Sequence, residues 1–77
     1  MNDARRDEIR RALRLIGEAK TILEMVLTGE QDDFDNMPED LRNDETGQQA
    51  EDTIDALERA ATCCEDAISA CEDALQS

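Results

Sequence analysis

The sequence predicts an all-α fold: an antiparallel two-helix hairpin with a short helical turn in its connection, which pairs with further copies into a four-helix bundle or a higher oligomer. Three observations lead there. Apolar residues recur at steps of three and four along two long stretches, the period of a helix face. Ala, Leu and Ile carry the apolar surface of a chain that is 38% charged, with Phe34 its one aromatic residue, a composition of long helices and not of sheet. Finally, 77 residues bury so little surface that one copy has a marginal core, and a second hairpin is the natural cover. Residues 1–77 are read as one domain, with a helix over about 3–28, an acidic connection over about 29–45 and a helix over about 46–76.

In the first helix, Ile9, Ala12, Leu13, Ile16, Ala19, Leu23, Val26 and Leu27 share one face, and Leu15, Ile22 and Met25 widen it. That is more apolar surface than a single partner helix covers. Gly17 sits inside the pattern and costs about 1 kcal/mol relative to Ala. Gly29 follows the last periodic residue and suits a left-handed stop.

The connection breaks the period and gathers acids around Phe34, Met37 and Leu41, which are expected to plug the open end of the helix pair. Pro38 favours the first position of a helical turn, and Glu39 and Asp40 suit its positive end, so Met37 to Leu41 reads as one turn. The second long helix then begins between Asp44 and Thr46, either of which suits its cap, Thr46 with Gln49 having capping-box spacing.

That second helix carries the stricter pattern. Ala50, Ile54, Leu57, Ala61, Cys64, Ile68, Cys71 and Leu75 alternate steps of four and three, a heptad seam. The core and assembly residues are therefore Ile54, Leu57, Ala61, Cys64, Ile68, Cys71 and Leu75. Thr53, Ala60, Ala67 and Ala74 form a small-residue column beside the seam, and Glu51, Glu58, Glu65 and Glu72 line its other flank. Four like charges on one edge oppose parallel self-pairing.

Charge selects the orientation. Arg5, Arg6, Arg10, Arg11 and Arg14 crowd the start of the first helix, and Glu65, Asp66, Glu72 and Asp73 the end of the second. Each cluster is badly placed for its own helix dipole and well placed beside the other, as an antiparallel hairpin puts them. Exposed pairs contribute only about 0.2 to 1 kcal/mol each, so they choose an orientation more than they stabilise a fold.

The same inventory narrows function. With no His, the chain lacks the commonest general base and transition-metal ligand, and no enzyme is predicted. Cofactors and metal sites are expected to be absent. The run Asp32-Asp33-Phe34-Asp35-Asn36 hints at a calcium loop, yet no register supplies the Gly and Glu of an EF-hand. Cys63, Cys64 and Cys71 fall short of a four-ligand zinc site. Cys64 and Cys71 are roughly 10 Å apart along a helix, beyond disulfide reach, while Cys63 lies off the seam as the one candidate reactive thiol. No stretch reads as a secretory signal or a membrane span, so a cytoplasmic protein is expected.

Two charged constellations are candidate binding sites. Residues 30–58 hold twelve acids against Arg42 alone, which focuses much of the net charge of -13 on the connection end. Asp32, Asp33, Asp35, Glu39, Asp40, Asp44 and Glu45 there form a surface that imitates nucleic acid or docks on a basic protein patch; the plainer account is a solvated end. Arg5, Arg6, Arg10, Arg11 and Arg14 are candidate phosphate contacts, because guanidinium forks match phosphate oxygens; pairing with the second helix is again the plainer account. Direct nucleic-acid binding is not expected at this net charge.

The segment Asp35-Asn36-Met37-Pro38-Glu39-Asp40-Leu41, with Asp44-Glu45-Thr46-Gly47 and the heptad helix after it, resembles small helical proteins of phages and prophages. The resemblance covers roughly the last two thirds of the chain and brings no functional residues with it. It implies an accessory protein in the cytoplasm of an infected bacterial host, one that blocks or sequesters a host defence component. That component would be a protein surface or a small phosphate-bearing signalling molecule. An acidic DNA mimic and a purely structural assembly module are the alternatives.

Overall fold

The computed structural model describes all 77 residues, and its elements are three helices with no strand: α1 (Asp3–Asp35), α2 (Glu39–Arg42) and α3 (Glu45–Leu75). The two long helices pack against each other in opposite directions, with α2 folded onto the start of α3. Contacts at three levels establish the antiparallel register. Arg6 reaches the backbone of Leu75 and Ser77, Lys20 reaches Glu65, and Gln31 reaches Glu58. The result is a rod of 58 × 15 × 13 Å.

Asn2 caps α1, its side chain accepting from the Arg5 amide at 2.8 Å. The helix does not stop at Gly29. It runs on to Asp35, because no glycine in the chain has positive φ and the inward face continues through the half-buried Glu30, Gln31 and Phe34. Beyond the glycine, Gln31 holds its place facing α3 with a 3.5 Å hydrogen bond to Glu58. Pro38, two residues past the Asn36 cap, lies where prolines commonly follow a helix end.

α2 is the single turn expected, but Pro38 stands at its N-cap and not at its first helical position. Arg42 closes it with its guanidinium 5.9 Å from the Phe34 ring centroid and a bond to the Met37 carbonyl oxygen. Phe34 and Met37 are half-buried at this end as a plug would be, while Leu41 is left 43% exposed.

Of the two candidate caps of α3, the structure uses Asp44, whose carboxylate accepts from the Thr46 amide at 2.8 Å. Thr46 is thereby already inside the helix and forms no capping box. Gly47, in the same turn, is one of only two buried residues of the chain. A Cβ built there would stand 2.0 Å from the Arg42 carbonyl oxygen, so α2 can close onto α3 only over a residue without a side chain.

The other buried residue is Ala61, at the centre of the seam. Ile54, Leu57, Cys64, Ile68, Cys71 and Leu75 are half-buried toward α1, whose facing set is Ile9, Leu13, Ile16, Leu23, Leu27 and Phe34. Lys20 occupies a seam position in that set. Leu15, Ile22, Met25 and Val26 point elsewhere and are 52, 60, 70 and 46% exposed. One hairpin thus has a contact line and hardly an interior, which follows from having two layers of one helix each.

Candidate functional site

The charged residues are divided between the two ends and one flank of the rod. At the free end, Arg6 points inward and its fork donates to the backbone oxygens of Leu75 and, at 2.7 Å, Ser77. A cation there satisfies otherwise unpaired carbonyls at the negative pole of α3. Arg10 pairs with Asp7 at 2.9 Å and Arg11 with Glu8 at 3.6 Å, each one turn back on the same helix. Arg5 and Arg14 have no ion pair.

This departs from the pairing expected of the sequence. No arginine meets Glu65, Asp66, Glu72 or Asp73, since Arg11 and Arg14 lie on the side of α1 turned away from α3 and local carboxylates reach Arg10 and Arg11 first. The five candidate phosphate contacts are not gathered into a pocket: one caps α3, two are paired locally, and two are free on the surface.

The one ion pair between helices belongs to Lys20, which stands 3.5 Å from Glu24 and 3.4 Å from Glu65. Glu24 and Glu65 flank the seam on the same side from opposite helices, and the ammonium lies between them. Its pKa is raised, first by the charge of Glu24 and then by the hydrogen bond to Glu65. A raised lysine pKa stabilises the fold at every pH below the ordinary lysine range, and that contribution is lost as pH rises through the folded value. Lys20→Met leaves the two carboxylates facing each other uncompensated. The variant is expected to melt below the parent at pH 7, with the gap narrowing as pH rises through the folded lysine value; a gap independent of pH in paired thermal melts would refute this role.

At the connection end, α1 delivers Asp32, Asp33 and Asp35 from its last turn, α2 delivers Glu39 and Asp40, and the start of α3 delivers Asp44 and Glu45. The first three were expected in a loop and instead stand on a rigid helix whose last turn contains no basic residue. None of the seven forms an ion pair, Arg42 being turned over Phe34. Glu51 and Asp55 of α3 join Asp32 and Asp35 around an open cleft floored by Phe34 and Ile54. Both lie within the acidic 30–58 stretch but outside the candidate surface read from the sequence; the heptad register, which places them on the α3 surface within two turns of the cap, was the available signal.

Cys63 is exposed, Cys64 and Cys71 are half-buried, and all three are free thiols. No helix is long and apolar enough to cross a membrane. Fold and surface define a thin helical hairpin with charged ends and exposed apolar side chains. No protein-family model, curated protein or solved structure matches the chain.

Proposed function

We propose that this chain is a non-catalytic binding protein of a phage or prophage, acting in the host cytoplasm as a homo-oligomer that blocks or sequesters a host defence component by occupying it stoichiometrically. The observation that supports this most is the acidic end. Seven carboxylates from three helices, with Glu51 and Asp55 beside them, face solvent at one pole, and none of the seven is in an ion pair, Arg42 lying over Phe34. A surface of one sign steers association with a surface of the other, so the component engaged is a protein with a basic patch.

Mimicry of nucleic acid is the second reading, and it uses the same carboxylates, since a nucleic-acid-binding groove is itself a basic patch. A small phosphate-bearing signal has weaker support, as only Arg5 and Arg14 of the five arginines are without a partner. A purely structural module would leave the acidic end without a role.

The test replaces Asp32, Asp33, Asp35, Glu39 and Asp40 by Asn and Gln and compares tagged parent and variant for retention from lysate of infected cells. Retention of a discrete host protein by the parent, lost in about 0.5 M salt and at least tenfold weaker in the variant, is expected. Equal retention by the variant would defeat the acidic-end reading. Release of the captured protein by competing duplex DNA would select mimicry; insensitivity to DNA would select an ordinary basic patch.

A further inference from the structure

Self-association, as proposed above, leaves open which surface is used, and the hairpin has two unlike broad faces. Gln31 with Glu58, and Lys20 with Glu24 and Glu65, lie on one of them, which is polar. The heptad geometry puts the small flanks of the two seams on the other: Ala12, Ala19 and Val26 from α1, and Ala60, Ala67 and Ala74 from α3. Just outside these stand Leu15 and Ile22 on α1, 52 and 60% exposed, and Ala56, Cys63 and Ala70 on α3, all exposed. No charged residue is among these eleven. Beside a seam with a single buried side chain, this is an uncharged face that leaves Leu15, Ile22, Val26 and Cys63 exposed.

We infer that a second copy covers this face, related by a two-fold axis that runs perpendicular to the helices past Ile22 and Cys63, so that α1 lies antiparallel on α1 and α3 antiparallel on α3. The level of the axis follows from the register. Lys20 bridges to Glu65, so Ile22, two residues on, is level with Cys63, two residues back.

Turned about that point, Leu15 and Val26 meet small residues. Leu15 comes opposite Gly29 of the second copy, Val26 within about one residue's rise of Ala19, and Ile22 opposite Ile22, while α3 sets Ala56 opposite Ala70 and Cys63 opposite Cys63. Such alternation lets two helices interdigitate, closely along α3 and more widely along α1.

Charge selects this axis over the other face-to-face arrangement. An axis along the bundle would bring both connection ends together, each with twelve acids against one arginine. The perpendicular axis sends them to opposite poles and lays the arginine-bearing start of one α1 along the acidic end of the other. Arg11 then stands level with Asp32 and Asp33 of the second copy, and Arg59, the single cation of α3, level with Asp66. Asp52 and Asp73 also fall level, near the exposed ends of the interface.

The experiment is mass-resolved size exclusion of the purified full chain, followed by oxidation with diamide, which takes up the two electrons and two protons released when two thiols form a disulfide. A mass of twice 8.6 kDa is expected, with a reducible dimer band that disappears in Cys63→Ser and returns when Ile22→Cys is added to that variant. Ile22→Glu is expected to shift the mass to one copy, with helix content retained by circular dichroism as the check on folding. A dimer in which Ile22→Cys links to Cys63, and Cys63 does not link to itself, would overturn the perpendicular axis. A dimer indifferent to both positions would overturn the face while leaving self-association standing. A bare 8.6 kDa species at tens of micromolar would overturn both.

Discussion

Gly47→Ala is expected to destabilise the protein by about 1 to 3 kcal/mol, lowering the melting temperature by roughly 4 to 8 °C for each kcal/mol in a domain of this size. The sign is the informative part, because Gly to Ala inside a helix ordinarily stabilises by about 1 kcal/mol. At Gly47 the added carbon would meet the Arg42 carbonyl oxygen at 2.0 Å, its carbon at 2.5 Å and the Arg42 Cα at 2.7 Å. These are backbone atoms and cannot rotate aside, so α2 must lift from α3, taking Arg42 away from Phe34 and opening the acidic end. Gly17→Ala is the control: nothing lies within 4 Å of its Cβ and its φ is negative, so it should stabilise. Both melts are to be run at one protein concentration, since association moves the midpoint. Equal shifts in the same direction would show that the α2–α3 contact has no energetic weight.

The Gly47 contact bears on how much of the fold the sequence displayed. Periodicity located both long helices, because a helix face is written in local spacing, and Pro38 with Glu39 and Asp40 marked the turn between them. Gly47 belongs to the segment that prompted the phage resemblance, yet its role was invisible there: the atoms it must avoid belong to a different helix. Gly29 failed in the opposite way. It is a stop signal only if its φ turns positive, and the inward positions Gln31 and Phe34 gave α1 reason to continue. The choice of Asp44 over Thr46 as cap turned on which side chain reached an amide, which composition does not encode.

For the charged sites the lesson is about range. The acidic run was legible because its residues are neighbours in sequence, and the fold added only Glu51 and Asp55 to it. The opposition of arginines and carboxylates across the hairpin correctly indicated its direction through the helix dipoles. As a list of pairs it misled, because Asp7 and Glu8 one turn away compete at a shorter range than anything on α3. The bridge that does form uses Lys20, which the periodic apolar pattern of α1 skips, and a polar residue at a seam position is the signal that would have revealed it.

Ala61→Leu is the second large effect. Ala61 is the most enclosed apolar side chain of the protein, 8% exposed, and it lies mid-seam between the two long helices. Three further carbons at that point cannot turn outward, because seam positions face the opposite helix, so the helices must separate and expose Leu57 and Cys64 on either side. Overpacking of this kind costs about 1 to 3 kcal/mol, and a hairpin with so little else buried has few contacts to redistribute the strain. Ala56→Leu makes the same chemical change on the same helix but on the broad apolar face, where one hairpin leaves open space. The two substitutions therefore separate the inside of the hairpin from the face proposed to lie between copies. Ala61→Leu should lower the urea midpoint of helix loss at every protein concentration, whereas Ala56→Leu should keep the helices and shift the concentration at which the dimer dissociates. If Ala61→Leu proves neutral in urea while Ala56→Leu unfolds the chain, the seam has been assigned to the wrong face of α3.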